Sequence, residues 1–264
     1  MGAAIDNEVY RREADIWWDE NEPLSMLRTM MNPARVGFVR EILNGQLGRN
    51  PRNLNVLDVG CGGGLLAEEL AGLGLTVTGV DPALASVVTA RDHARRSDFP
   101  IGYVAAPGES LPFGDGSFDA VVCTDVLEHV EDTGPVISEI ARVLKDGGAF
   151  LFETINRTLR SRIALIGLFQ TWKWSRCAPP NLHEWRRFIK PGELIVTLAQ
   201  YGLLHRRTVG LQPHIGKFRS ILEMLKRSRG KISYGELGRR MEMRPARDKS
   251  MSYMGWAVKM AKAT

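Results

Sequence analysis

Short apolar runs alternate with amphipathic stretches along the first two thirds of the chain, the pattern of strands and helices that take turns. The runs predict five strands, at residues 55–59, 76–80, 102–104, 120–123 and 149–153. A helix fits between successive strands, so we expect parallel strands joined by right-handed crossovers. A helix at 191–201 and strands near 204–209 and 252–260 complete the pattern. We therefore predict an α/β fold with a mostly parallel, seven-stranded sheet flanked by helices.

The segments outside this alternation suggest how the chain is organised. Residues 10–18 form an amphipathic pattern, and a second helix is expected to begin at Asn32, where Pro33 suits the first helical position. We predict an N-terminal helical lid at residues 1–50 and a main domain at residues 51–264. The main domain contains a helical cap insertion at about 157–190 and a basic insertion at about 213–250.

Composition restricts the class of partner only mildly. The 264 residues carry a net charge of +5, with 44% hydrophobic and 25% charged residues, which is ordinary for a globular protein. Much of the positive charge falls between Lys217 and Lys249. No aromatic residues interleave with it in the manner of a nucleic-acid module, so no nucleic acid is expected as a partner. A solvated basic face is the simplest interpretation, and attraction to anionic lipid or to an acidic substrate is the alternative.

Cysteine usage and hydropathy indicate a cytoplasmic protein. Cys61, Cys123 and Cys177 are too far apart for a disulfide framework or a metal knuckle, which favours a reducing compartment. The longest apolar run in the second half, residues 163–169, is far shorter than the ~20 residues that span a bilayer. We expect at most a peripheral association with the inner membrane.

The first two strands frame half of a nucleoside site. The run Val-Leu-Asp-Val-Gly-Cys-Gly-Gly-Gly at residues 56–64 is a buried strand followed by a tight turn, and glycines there allow a ligand to approach the main chain. The second strand ends at Asp81, whose carboxylate is placed to accept hydrogen bonds from a ribose diol.

The details of this turn indicate which nucleoside it binds. A dinucleotide fingerprint beginning at Gly60 needs glycine at position 65, which is Leu65, so a nicotinamide dehydrogenase is a distant alternative. Asp58 is a poor neighbour for a pyrophosphate and suits a cationic group. The stretch resembles motif I of class I methyltransferases that use S-adenosylmethionine (SAM), a cofactor with an amino acid and a sulfonium but no phosphate. The resemblance implies their Rossmann-like fold and SAM as the cofactor.

Candidate cofactor residues follow from the motif and from that resemblance. Arg35 is either a surface arginine or a clamp on the cofactor's carboxylate, and backbone groups of residues 108–110 are expected to border the adenine. The predicted set is Arg35, Asp58, Gly60, Gly62, Asp81, Pro82, Gly108, Glu109, Ser110 and Thr124.

Candidate catalytic residues follow the fourth strand. In a helical turn, Asp125, Glu128 and His129 share a face, and two carboxylates with an imidazole can hold a divalent ion such as Mg²⁺. Similar residues are common at this place in class I methyltransferases that bind no metal. We assign Glu128 and His129 as catalytic, with His129 as the general base if no metal is bound.

Three further stretches narrow the resemblance to one family. Trp17-Trp18-Asp19, Asn32-Pro-Ala-Arg35 and the segment from His183 to Pro191 resemble the O-methyltransferases of ubiquinone biosynthesis, over roughly residues 10–211. This resemblance implies that Asp125, Glu128 and His129 occupy the family's Mg²⁺ positions, with Asp125 replacing a glutamate. It also implies a membrane role for the cap. The chain departs from the family after Leu211.

The family resemblance implies a SAM-dependent O-methyltransferase. Its small-molecule acceptor is expected to be the catechol-type hydroxyl of a polyprenylated, and thus lipid-tailed, quinone precursor resembling 3-demethylubiquinol. Two alternatives stay open. One is O-, N- or C-methylation of another small molecule, such as a secondary metabolite, and the other is a non-catalytic SAM-binding partner in a biosynthetic complex.

Overall fold

The computed structural model describes residues 17–46, 48, 50, 52, 54–172 and 182–261. Most of the helix predicted at residues 10–18 lies outside the described residues. Residues 173–181 of the predicted cap, which include Trp174 and Cys177, also lie outside the described residues.

A single mixed sheet forms the centre of the described chain. Its strands are β1 (Asn55–Val59), β2 (Thr76–Asp81), β3 (Gly102–Ala105), β4 (Phe118–Thr124), β5 (Leu144–Ile155), β6 (Leu203–Pro213), β7 (Met243–Ala246) and β8 (Ser252–Lys259). Their order is β3-β2-β1-β4-β5-β8-β6-β7, with β1 to β6 running in one direction and β7 and β8 in the other. All seven predicted strands are present and the mostly parallel α/β fold is confirmed. The short strand β7 pairs with the end of β6 and adds an eighth, within the stretch expected only as a basic insertion.

The position of the functional site follows from this order. Strand β1 pairs with β2 on one side and with β4 on the other. The strand order therefore reverses at β1, because β2 and β3 lie on one side of it and β4 and β5 on the other. Ligands in open α/β sheets bind outside the carboxyl ends of the strands at such a switch point. All of β1 after Asn55 is buried, as expected for a strand covered on both faces.

Helices cover both faces of the sheet. They are α1 (Asn32–Arg40), flanked by the π-helical turns Leu27–Met31 and Glu41–Gln46; α2 (Leu65–Gly72); α3 (Leu84–Arg96); α4 (Thr133–Val143); α5 (Leu159–Ser161), continued by the π-helical turns Arg162–Thr171; α6 (Pro191–Gln200); α7 (Lys217–Ser228); and α8 (Tyr234–Met241). Helix α4 shows why such elements form: the Asp132 side chain accepts the Gly134 N–H at 2.9 Å, and Val136, Ile137 and Ile140 bury one stripe.

Two apolar cores lie on opposite faces of the sheet. One joins α1, α2 and α3 to the sheet and includes Ile42, Leu70 and Val87. The other joins α4 and α6 to it and includes Ile140 and Leu198. The two cores fix the strand ends from both sides, which keeps the switch-point edge in place.

The N-terminal helical segment and the basic insertion pack against each other although they are far apart in sequence. Gly238 of α8 lies so close to Thr29 that an added Cβ would come within 1.9 Å of Thr29 Oγ1. Arg239 donates to both carboxylate oxygens of Glu20, at 2.6 and 2.9 Å. The insertion is therefore folded against the N-terminal helical segment. Within the described ranges, no helix combines the length and the apolar composition that crossing a bilayer requires.

Candidate active site

A cavity of about 380 Å³ opens at the carboxyl ends of β1, β2 and β4. Most of the cofactor residues predicted from the sequence lie on its wall: Arg35, Asp58, Gly60, Asp81, Pro82, Gly108, Glu109 and Thr124. Gly62 and Ser110 are not on that wall. The wall also includes residues that were not predicted as part of the site, among them Asn32, Cys61 and Glu131.

The glycine turn is held in place by Asp81. Gly60 and Gly62 have φ angles of +75° and +50°, a backbone conformation that residues other than glycine rarely adopt. The Gly62 N–H donates to Asp81 Oδ2 at 2.9 Å, and the Ala83 N–H donates to Oδ1 at 2.8 Å. Each carboxylate oxygen keeps a further lone pair, so Asp81 can order the turn and still accept hydroxyl groups from a ligand.

Two tryptophans lie directly on this turn. A Cβ added at Gly62 would come within 2.4 Å of the Trp17 ring, and Gly63 is equally close to that side chain. Trp17 is buried, lines the cavity and donates from Nε1 to Ser86 Oγ at 3.2 Å. Trp18 donates from Nε1 to the Gly63 carbonyl at 2.9 Å. The glycines thus leave room for the tryptophan side chains as well as allowing the turn. Trp17 packs on the turn and also lines the cavity.

Asp58 presents an acceptor suited to a cation. Its side chain is 2% exposed, and its Oδ2 has no hydrogen-bond partner among the described residues. Burial raises the pKa of Asp58 to about 7, an effect that the Arg35 charge partly opposes. A buried carboxylate oxygen without a partner is costly unless a ligand satisfies it. The ammonium group of SAM's amino acid part is of the right charge, so this wall fits the predicted cofactor.

Arg35 is a buried arginine held between two carboxylates. Its Nε donates to Glu153 Oε2 at 2.6 Å, and its Nη2 donates to Asp125 Oδ2. Its Nη1 has one long hydrogen bond, 3.4 Å to Asn32 Oδ1, which leaves donor capacity for the carboxylate of a ligand. The surface alternative for Arg35 is wrong, because its side chain is only 4% exposed. Sequence reasoning missed Glu153, whose one signal is a charged residue inside the apolar run of β5.

The predicted metal set changes in the structure. Asp125 lines the cavity, but its carboxylate is bound by Arg35 and lies outside the group of candidate ligands. That group consists of Glu128, His129 and His183, whose ligand atoms all lie within 4.8 Å of one another. We therefore propose His183 in place of Asp125 as the third candidate ligand. The sequence pointed to His183 only through the family-like segment that it begins.

The geometry of Glu128 favours a ligand for its free oxygen. Thr154 Oγ1 donates to Glu128 Oε2 at 2.8 Å, whereas Oε1 is buried and has no hydrogen-bond partner among the described residues. Burial, with the nearby charge of Asp125, raises the pKa of Glu128. A cation beside Oε1 would offset this effect and keep the carboxylate ionised.

The two imidazoles complete the group and connect it to the cavity. Burial lowers the pKa of His129 to about 4 and that of His183 to about 3, so both rings are neutral at pH 7 and able to bind a cation. Their ring centroids are 5.2 Å apart. His129 also lies on the cavity wall, so the group adjoins the predicted cofactor site.

The sequence is similar to known methyltransferases. The family model described as "Methyltransferase domain" matches residues 57–152, from β1 into β5. A ubiquinone biosynthesis O-methyltransferase of Methylobacterium nodulans is 35% identical over 220 residues, which cover 80% of this chain and 87% of that protein. A protein of the same name from a Caulobacter species is 40% identical over 191 residues, or 69% of this chain and 74% of that protein.

A solved structure supports the fold independently. A SAM-dependent methyltransferase from Aquifex aeolicus superposes with a TM-score of 0.59 at 13% identity, covering 94% of this chain and 99% of that one. At this identity the likeness concerns the fold alone. The sequence relatives and the matching domain show that the chain is a SAM-dependent methyltransferase that belongs to the family of the ubiquinone biosynthesis O-methyltransferases.

Proposed function

We propose that the protein methylates a catechol-type hydroxyl of a polyprenylated quinone precursor resembling 3-demethylubiquinol. The relatives named for ubiquinone biosynthesis support the acceptor class. The observation that carries the proposal is the group of Glu128, His129 and His183, which meets the cofactor cavity at His129. A catechol-type acceptor must lose its hydroxyl proton next to the cofactor, and this group lies at that position.

The reaction needs one deprotonation and one displacement. SAM supplies an electrophilic methyl group on a sulfonium sulfur. In methyl transfer the acceptor's oxygen would form the new C–O bond as the C–S bond breaks, the electron pair of the C–S bond would stay on sulfur as a neutral thioether, and the hydroxyl proton would pass to solvent. The protein contributes alignment of the two reactants and removal of that proton, because a phenol has a pKa near 10, the value for tyrosine.

The environment of His129 bears on how the proton is removed. A buried imidazole with a pKa of about 4 is a weak base toward a phenol. A cation held by Glu128, His129 and His183 would instead lower the pKa of a hydroxyl that it binds. We therefore favour a metal-binding role for this group over general-base catalysis by His129 alone.

The chemistry of the donors also bears on which metal is bound. One carboxylate and two imidazoles make a nitrogen-rich set, which suits Mn²⁺ or Zn²⁺ at least as well as the Mg²⁺ expected from the sequence. Isothermal titration with each ion, followed for the wild type and for Glu128→Gln, tests the assignment. Loss of binding in Glu128→Gln, with binding kept in the control Glu131→Gln on the same cavity wall, is the expected result. Equal binding by all three proteins would remove the metal from the proposal.

The residues of the cavity would hold the cofactor in the order of its charged and polar parts. Asp58 would accept a hydrogen bond from the ammonium group, Arg35 would donate to the carboxylate, and Asp81 would accept from the ribose. Gly108 and Glu109 would border the adenine. Each position is supported by the free hydrogen-bonding capacity described above, or by a place on the cavity wall.

A lipid-tailed acceptor also requires access from a membrane surface. Leu159, Ile163 and Trp172, on and just after the cap helix, are 66%, 49% and 42% exposed, respectively. We propose that this apolar surface contacts the inner membrane and receives the acceptor's tail. Deletion of residues 163–172 should then weaken co-sedimentation with liposomes, whereas equal pelleting of both proteins would leave the cap as a lid.

A second candidate is methylation of another small molecule. It is favoured by the region after Leu211, where β6 continues to Pro213 and is followed by α7, α8 and β7 in place of the family's sequence. An acceptor panel distinguishes the two: a short-tailed demethylubiquinol, a catechol without a tail, and a monohydroxy analogue. Preference for the tailed catechol supports the proposal. Turnover of the monohydroxy compound at an equal rate would favour the second candidate.

A further inference from the structure

The positive charge of the protein is concentrated in one segment. Residues 214–250 contain eleven lysines and arginines against four aspartates and glutamates, whereas the whole chain has a net charge of only +5. The rest of the chain is therefore slightly negative. This segment forms α7, α8 and β7, so the charge lies on an ordered part of the surface.

Helix α7 is amphipathic, but it exposes part of its apolar face to solvent. Its apolar residues Phe218, Ile221, Leu222 and Leu225 follow the i, i+3, i+4, i+7 spacing of a single helical stripe. In a helix that packs by its apolar face, such a stripe is buried. Here Phe218 is 75% exposed, Leu222 43% and Ile221 38%. These three side chains of the stripe face solvent, and Leu225 is half-buried.

The opposite face of α7 holds the helix in this orientation. Ser220 is buried and donates to the Gly216 carbonyl at 2.8 Å, and Met224 packs against the apolar cluster formed with α8. The Arg227 guanidinium lies 3.8 Å from the centre of the Tyr234 ring. Glu223 accepts from Arg240 at 2.9 Å. The outward direction of the stripe is thus fixed by contacts on the inner face.

Cationic residues lie within α7 and just after its carboxyl end. Arg219, Arg229 and Lys231 are exposed and form no ion pair with any other described residue. An exposed apolar stripe with lysine and arginine beside it is the composition of helices that lie in a bilayer interface, where the apolar side chains enter the acyl boundary and the cations meet anionic headgroups.

We propose that α7 docks the protein on an anionic membrane surface, with Phe218, Ile221 and Leu222 inserted and Arg219, Arg229 and Lys231 against the headgroups. Charge complementarity favours lipid over a second copy of this chain, because pairing of two copies through the stripe would bring two positively charged surfaces together. Phe169 of the cap helix packs on the same apolar cluster as Met224, so the two exposed apolar surfaces belong to neighbouring elements.

This inference rests on the proposed function, since a lipid-tailed acceptor resides where α7 would dock, but vesicle binding is measured without an acceptor. The full-length protein is sedimented with vesicles of phosphatidylcholine, with and without phosphatidylglycerol. The variants are the double substitution Phe218→Ser with Leu222→Ser, the double substitution Arg219→Glu with Arg229→Glu, and the control Val196→Ser. Val196 is 59% exposed on α6 and matches Phe218 as an apolar side chain on a helix surface.

The wild type and Val196→Ser should pellet with phosphatidylglycerol vesicles and bind weakly to phosphatidylcholine alone. The apolar variant should lose at least about tenfold in partition coefficient. The charge variant should lose at least about fivefold per residue, and added salt should weaken wild-type binding. Equal partitioning of the apolar variant and the wild type would overturn the proposal.

Self-association is the competing outcome. If the wild type is dimeric by sedimentation velocity without lipid, binds no vesicles, and becomes monomeric in the apolar variant, the stripe covers a second copy and the membrane proposal is wrong. Turnover of a water-soluble, short-tailed acceptor should be the same in the apolar variant and the wild type. A failure of the acceptor proposal is thereby distinguishable from a failure of this one.

Discussion

At Asp58 the proposed contact with the cofactor should oppose folding stability. Burial raises its pKa from the ordinary 3.8 to about 7, so the ionised carboxylate is costly in the ligand-free protein. A shift of about three pKa units corresponds to roughly 4 kcal/mol of folding free energy, at 1.36 kcal/mol per unit. The substitution Asp58→Asn keeps the size of the side chain and removes the ionisation.

The sign of the effect follows from linkage. Because the folded-state pKa lies above the unfolded one, the contribution of Asp58 to stability is complete below about pH 4 and is lost as the pH rises through about 7. Asp58→Asn should therefore raise the free energy of unfolding by roughly 4 kcal/mol at pH 8 and by only about 2 kcal/mol at pH 5, where the wild-type protein holds the proton.

The same substitution should weaken cofactor binding. A hydrogen bond between charged groups contributes about 1.5–3 kcal/mol, so the SAM dissociation constant should increase about ten- to hundredfold. Denaturant unfolding at both pH values and isothermal titration measure the two effects, with the exposed Asp92→Asn as the control that changes neither. A variant that is no more stable at pH 8 than the wild type would refute the assigned pKa, and unchanged SAM affinity would refute the ammonium contact.

The remaining predictions concern the glycine turn, the ribose and the metal group. Gly62→Ala should destabilise the protein by about 1–3 kcal/mol and alter Trp17 fluorescence, because its φ is positive and its Cβ would meet the indole; Gly72→Ala, with nothing within 4 Å, should be neutral or stabilising in the same thermal scans. Asp81→Ala should lower SAM affinity at least about hundredfold by calorimetry, since the turn and the ribose both lose an acceptor, and an unchanged dissociation constant would contradict that role. Thr154→Val should weaken metal binding about tenfold or more, because the Glu128 carboxylate loses the hydrogen bond that orients it; an unaltered titration would make Thr154 merely structural.

Local sequence rules account well for the strand and turn that begin the site. The strand β1, the glycines after it and Asp81 are recognisable because a buried parallel strand and a tight turn each impose their requirements on a few consecutive residues. The cavity wall at Asp58, Gly60 and Asp81 follows from the switch point of the sheet.

Contacts between distant segments were beyond the sequence. His183 joins Glu128 and His129 only because the chain returns from the cap to the end of β4, so spacing along the chain gave Asp125 instead. Glu153 competes for Arg35 from a different strand, which no periodic pattern reveals.

The basic insertion illustrates a different limit. The helical period of α7 is visible in the sequence, but which face is buried depends on α8 and on the cluster beneath it. Only the structure shows that Phe218 points outward. A solvated basic face was therefore an incomplete interpretation of this segment.

The proposed reaction at this cavity and its adjoining Glu128, His129 and His183 group is methylation of a catechol hydroxyl. It is tested by transfer of the labelled methyl group from SAM to a short-tailed demethylubiquinol, with a divalent metal and then with a chelator. We expect an O-methylated product whose formation stops with the chelator and resumes when metal is restored. A protein that binds SAM yet forms no product under either condition would contradict the assigned acceptor. Product formation that the chelator leaves unchanged would contradict the role of the metal group.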